Sequence, residues 1–300
     1  MKLIDTFLFF NELDLLEIRI KYLDPVVDFF IITEARQSFV GHKKKLYFEE
    51  NKERFSKYKK KIIHQIIDFE PSNFKDFNKP DKRFTDYHKS YEHKHNGKKA
   101  IDIDIQYQRE IYQRDYQILG VSKVANADDY IILGDVDEIP NRDLLRKIKM
   151  QKLISKNEHV TLCLKWFMYY INSYLPKQWY GIRVCEYQYL EDKSIDLMRY
   201  HTENKSLQKF KIYDDAGWHF HLFGGVEHVK EKLSGYNYSG TKIAFLLKII
   251  NYLFPNRIKN KIKNNKDVLD KNRKIMIIDP ASECPRDLLE IISDYPVMFR

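Results

Sequence analysis

Within the first 68 residues, apolar runs alternate with helix-patterned segments at intervals suited to crossover connections. "KLIDTFLFF" reads as a strand and "NELDLLEIRIKYL" as the helix after it, with Asn11 as N-cap and Glu12, Asp14 and Glu17 in the early turns. "VVDFFIITEA" is a second strand, "LYFEENKERFSKYKKK" a charged surface helix, and "KIIHQIID" a third strand. Strand, helix, strand, helix, strand at this spacing predicts an α/β domain with a mixed, mostly parallel sheet and helices on both faces.

Further along, the 69–100 stretch breaks the rhythm with Pro71, Pro80 and Gly97 and reads as an insertion or loop. Its histidines, His88, His93 and His95, lie among lysines that repel a cation. A helix follows over 101–119, then the strand "DDYIILGDV" and a helix after Pro140 capped by Asn141. "HVTLCLKWFMYYINSYL" and "YGIRVCEYQYL" predict two long antiparallel strands, "AGWHFHLFGG" a short strand into a glycine turn, and "VEHVKEKLSGY" a helix.

"YIILGDVDEIP" drives an apolar strand into three acids. In an extended chain side chains alternate, so Asp135 and Asp137 are expected on one side, about 6–7 Å apart. Such a pair at the C-terminal end of a strand suits a hard divalent ion that also binds phosphate oxygens, at the crevice where open α/β sheets hold ligands. A bare D-x-D is a weak signal, equally read as a solvated, helix-capping loop. A second one, Asp102 and Asp104, follows no buried strand.

With 43% hydrophobic and 14% aromatic residues, 300 residues can bury a substantial core. The net charge of +9 is concentrated: ten Lys or Arg face two Asp between Lys242 and Lys274. That stretch reads as a greasy helix joined to a basic tail, either resting on an anionic membrane surface or packed as a helix followed by a solvated loop. Acids interrupt the apolar N-terminus, and "IAFLLKIINYLF" is about half the ~20 residues of a spanning helix. Three cysteines without CxxC spacing predict no disulfide framework and a reducing, cytoplasmic setting, with any membrane contact peripheral and at the inner face.

"FFNELDLLEIRI", "VVDFFIITEA", "LYFEENKERF", "REIYQRD", "GDVDEIP" and "GWHFHLFGGVE" occur in the order and approximate spacing of glycosyltransferase family 17, which the chain resembles from residue 3 to about 235. That is the family of bisecting β-1,4-N-acetylglucosaminyltransferases, and the chain looks most like its bacterial and viral members without stem or anchor. The resemblance implies a GT-A type fold, with a catalytic domain over 1–240 (nucleotide-binding part to about 140, acceptor part beyond); the remainder, 241–300, reads from its own composition as a basic helical extension packed on that domain. It implies an inverting, metal-dependent transfer of a sugar, N-acetylglucosamine from UDP-GlcNAc first of all, to a hydroxyl of a glycan or glycolipid in β linkage. Mn2+ or Mg2+ is the implied cofactor, held by Asp135 and Asp137. Family members carry a Ser-His pair after the glycine turn where this chain reads "KLSGYNYSG", so His219, His221 or His228 is expected to substitute, His219 first.

For donor binding the resemblance singles out Glu34, Arg109, Arg114 and Asp135. Arg109 and Arg114 are about 140° apart on a helix, so both cannot point straight at one ligand; Arg114 is taken first and Arg109 second, and pairing of either with Glu110 or Asp115 on a wet face explains them equally well. A base for the acceptor hydroxyl suits a carboxylate in a cleft. Glu227, just past Gly224 and Gly225, is the first candidate, with Asp215 and Glu138 as alternatives; helix-dipole compensation explains Glu227 equally well. Trp218 and His219 offer a flat face and a donor to a sugar, although core packing is the default for Trp218. The competing readings are a metal-dependent phosphodiesterase or nuclease, disfavoured because no second acidic or histidine cluster accompanies the first, and a non-catalytic nucleotide-sugar-binding protein. No nucleic-acid partner is expected.

Overall fold

A computed structural model describes residues 1–68, 105–199, 205, 210–235, 256–268, 270 and 272–300. The insertion expected over 69–100, its histidines, Asp102, Asp104 and the apolar 243–254 run lie outside the described residues.

The opening rhythm folds as read. Strands β1 (Leu3–Phe9), β2 (Phe29–Ala35) and β3 (Ile62–Ile67) pair in parallel, and β4 (Tyr130–Asp135) joins β1 on its other side, also parallel. Helix α1 (Leu13–Leu23) connects β1 to β2, and α3 (Ile105–Val121) precedes β4. Alternation in β1 splits the core between two faces. Leu3, Phe7 and Phe9 pack with Leu15, Leu16, Ile20 and Leu23 of α1, whereas Ile4 packs with Ile118 and Val121 of α3. Each fully buried aliphatic or aromatic side chain contributes about 2 kcal/mol, so both helices are fastened chiefly by these stripes.

Two local expectations are corrected. Asn11 does not cap α1; its amide donates to Glu231 (2.7 Å), and the helix starts without a side-chain cap. The surface helix is α-helical only over α2 (Tyr47–Asn51) and 3-10 over Lys52–Tyr58, with the Asn51 amide taking the Tyr47 carbonyl (2.8 Å) and so competing with the backbone ladder. Asn141 does cap α4 (Arg142–Gln151), accepting from the Asp143 and Leu144 amides.

Beyond β4 the sheet becomes mixed. Strands β6 (His159–Met168) and β7 (Ser173–Glu186) form the expected antiparallel pair, β7 is antiparallel to β4, and β9 (Gly217–His221) runs parallel to β6. The short β5 (Glu138–Pro140) closes the far edge on β9, giving the order β3-β2-β1-β4-β7-β6-β9-β5, while β8 (Ile212–Tyr213) and β10 (Met276–Ile277) pair with β6 and β7. Strands β4 and β5 are separated by two residues in the chain yet by three strands in the sheet. A flat sheet would set them about 19 Å apart at ~4.8 Å per strand, while the chain from Asp135 to Glu138 reaches only about 10 Å. The sheet therefore curls until its far edge returns to the C-terminal end of β4. That curl builds the site.

Helices α5 (Tyr187–Leu190) and α6 (Ile195–Arg199) follow β7, and α7 (Gly225–Gly235) follows β9. In the C-terminal part, α8 (Arg257–Lys263) buries Ile258 and Ile262 against Met168, Tyr169 and Val229, and α9 (Arg286–Ile292) joins the main core through Leu288 and Ile292. Among the described residues no helix is long and apolar enough to cross a membrane.

Candidate active site

The acidic stretch is a turn, not an extended chain. Strand β4 ends at Asp135, Val136 and Asp137 form the turn, and Glu138 opens β5. The extended geometry expected for Asp135 and Asp137 is thereby corrected: alternation stops where the strand does, and the two carboxylates, both on the wall of one pocket, meet different partners.

Asp135 lies between two arginines. Arg114 donates to both of its oxygens, at 2.7 and 3.4 Å, and Arg199 of α6 grips both as well, at 2.8 and 3.0 Å. Burial pushes the Asp135 carboxyl up, but Arg114 and Arg199 outweigh it and hold its pKa well below the usual range. Glu138, fully buried, accepts from Trp179 Nε1 (2.5 Å), the Asp135 amide (2.9 Å) and Arg199 (2.8 Å). Gly181 leaves room for it: a Cβ there would stand 2.2 Å from Glu138 Oε1. From below, buried Arg19 of α1 donates to the carbonyls of Asp135 (2.9 Å) and Glu138 while forming a two-pronged pair with Asp5 (2.7 Å each). Protein cations thus match most of the charge that the sequence left open.

Asp137 faces elsewhere. Its Oδ1 is 3.8 Å from His219 Nε2, and its Oδ2 accepts from Lys232 of α7 at 2.9 Å. Pairing of β5 with β9 sets Glu138 opposite His219, and the Phe220 amide donates to the Asp137 carbonyl (2.8 Å). Alternation along β9 sends His219 and His221 to one side, Trp218 and Phe220 to the other. Asp137, His219 and His221 each offer a ligand atom, all within 4.8 Å of one another. His219 Nδ1 and His221 Nε2 are buried with no hydrogen-bond partner. Burial lowers the pKa of both rings, that of His221 well below the usual value with His219 adding to the effect, so both are neutral imidazoles with lone pairs. A carboxylate and two neutral imidazoles, that of His221 with its Nε2 unpartnered, fit a divalent metal ion.

On the other side of Asp137, at the C-terminal ends of β1 and β4, opens a pocket whose empty space is about 520 Å³ with the solvent at its mouth included. Phe10 and Phe39 supply flat apolar surface, Gln37, Ser38 and Gln113 polar groups, and Arg114, Lys44 and Lys232 positive charge, with Glu12, Asp135 and Asp137 also on its walls.

The remaining sequence candidates are dispersed. Arg109 points toward the Phe39 carbonyl (3.5 Å) and the backbone at Gly41, away from Arg114. Glu34 is buried beneath Phe48 and His64. The Glu227 side chain is 83% exposed and pairs with Lys230; that of Asp215 is 79% exposed, beside Lys165. Neither they nor Glu138 line the pocket. Trp218 sits in the core, its Nε1 donating to the Glu283 carbonyl (2.8 Å) and its ring edge-on to Tyr22. Gly224 and Gly225 both take positive φ, 105° and 85°, which turns the chain from β9 into α7.

Sequence reasoning missed Arg19, Arg199, Lys232, Glu12 and Trp179. One of them left a signal. Arg19 interrupts an apolar helical stripe as its partner Asp5 interrupts an apolar strand, and a charge at each core position calls for a partner of opposite sign. Arg199 and Lys232 sit 64 and 95 residues from the acids they hold, with no local pattern.

The model of glycosyltransferase family 17 matches residues 1–82 and 70–274 of the chain. No curated protein matches it. The phosphodiesterase and binding-protein alternatives give way accordingly. A curled, largely parallel α/β sheet, a pocket at its strand ends and a family match over most of the length lead to one conclusion: this chain belongs to glycosyltransferase family 17 and is a glycosyltransferase, taking a sugar donor and a glycan acceptor.

Proposed function

We propose that the protein is an inverting, metal-dependent transferase that moves N-acetylglucosamine from UDP-GlcNAc to a glycan hydroxyl in β linkage, of the bisecting-enzyme kind. The observation that carries this reading is the place of Asp137, between a pocket lined by aromatic and basic side chains and the buried imidazoles of His219 and His221. Phe10 and Phe39 suit the faces of a pyrimidine ring, and Gln37 Oε1, buried without a partner on the pocket wall, suits the N–H of uracil. Arg114 suits the diphosphate, held in place by Asp135 as a positioning group.

Asp137, His219 and His221 are the residues that would hold the metal. Bound there, it would stabilise the negative charge of the departing diphosphate. Two imidazoles make a softer donor set than the all-oxygen shells of magnesium, which favours manganese. For the acceptor proton, Glu227 is the candidate carried forward. It stands on the first turn of the helix that delivers Lys232, and a Glu227→Gln variant with unimpaired transfer would eliminate it.

The test is incubation of the full chain with Mn2+ and a panel of UDP- and GDP-sugars, with and without glycan acceptors, followed by assay of released nucleotide. Acceptor-stimulated release of UDP from UDP-GlcNAc is expected. Release from a GDP-sugar alone would refute the donor assignment, and full activity in EDTA would refute the metal. NMR of the product's anomeric carbon reads the linkage.

A further inference from the structure

Lys232 sits on the inward face of α7, its side chain 3% exposed, while Glu227 and Lys230 of the same helix lie at the surface. Its ammonium is 2.8 Å from Glu12 Oε1 and 2.9 Å from Asp137 Oδ2, and it lines the pocket. Three remote segments therefore converge on one cation: the entry to α1, the acidic turn and α7.

Two carboxylates, each within 3 Å of the ammonium, thus flank one cation at a pocket wall. As a packing device this arrangement is poor, because a buried ion cluster usually contributes no more than apolar residues of the same volume. As an anion anchor it is well suited. The flexible stem lets an ammonium swing from a carboxylate to a phosphate oxygen, and the carboxylates hold it in the pocket beforehand. Arg114 lines the same pocket, so two cations of the site come from different elements and can take different oxygens of a diphosphate.

We propose that Lys232 is a donor-binding residue that anchors the diphosphate, with Glu12 and Asp137 as its resting place. The inference rests on the nucleotide-sugar reading and deepens it. Lys232 takes Asp137 Oδ2, which leaves Oδ1, the oxygen nearer His219, as the one that would be available to a metal ion.

The test is calorimetric titration of UDP and of uridine into the full chain in EDTA, for wild type, Lys232→Met and the charge-balanced Glu12→Gln/Lys232→Met. The double variant counts where the single one fails to fold, as judged by its thermal midpoint. Loss of a charge-assisted contact is expected to weaken UDP at least about tenfold and to leave uridine within about twofold of wild type. UDP affinity retained within about twofold, or an equal loss for uridine, would overturn the proposal. A wild-type chain that binds no UDP would instead refute the nucleotide-sugar reading itself.

Discussion

Arg19 and Asp5 meet through two 2.7 Å hydrogen bonds with no exposed side-chain surface on either, and the same guanidinium holds the carbonyls of the acidic turn. The pair ties β1 and α1 to the site. Removing the cation leaves a buried carboxylate and frees the turn, so Arg19→Met is expected to cost about 3–5 kcal/mol. Arg19→Lys recovers little of it, because an ammonium lacks the planar fork that serves Asp5 and two carbonyls together. Urea unfolding followed by circular dichroism measures both.

The metal ligands separate from the D-x-D pair in a second set of variants. Asp137→Asn and His221→Ala are expected to weaken Mn2+ binding at least about tenfold. Asp135→Asn is expected to leave it within about threefold, because that carboxylate faces Arg114 and Arg199. Electron paramagnetic resonance of free Mn2+ reads the affinity without any turnover. Equal losses for Asp135 and Asp137 variants would return both to the ion.

Arg114 and Arg109 provide a matched pair on one helix. Arg114 lines the pocket and pairs with Asp135, whereas Arg109 reaches the Phe39 carbonyl. Loss of a charged hydrogen bond of about 1.5–3 kcal/mol predicts a fall of about 10- to 100-fold in kcat/KM for Arg114→Met. Arg109→Met is expected to change it less than about threefold. Steady-state kinetics with varied UDP-GlcNAc discriminate them.

Asp115 gives a pH signature. Its buried carboxyl accepts from Ser194 and the Asp196 amide, and burial together with the Asp196 charge pushes its pKa up to about 7. A raised carboxyl pKa means that the folded state keeps a proton the unfolded chain has lost. Stability from this group is therefore full below about pH 4 and declines as pH rises toward about 7. Asp115→Asn is expected to flatten the fall in urea midpoint between pH 5 and 8 and to exceed wild type at pH 8. A wild-type midpoint that rises across that range with no change in the variant would refute it.

Much of the site was legible in one dimension, and specific elements show where legibility stopped. Period-2 and helical patterning located β1 to β4, α1, the Asn141 cap and the β6–β7 pair, because burial on one face writes itself into local residue order. It failed at Asp135 and Asp137, where strand geometry was extended across a turn, and at Asn11, whose side chain was taken by Glu231.

The sequence by itself determined the family, the α/β class and the acidic stretch at the end of a buried strand. Only the tertiary structure decided which cation each acid meets. Curling brings β5 and β9 back to β4, and α7 crosses above, so His221 and Lys232 reach Asp137 from 84 and 95 residues away. Electrostatic pairing depends on distance in space, and no local periodicity encodes a contact that the sheet makes by closing on itself.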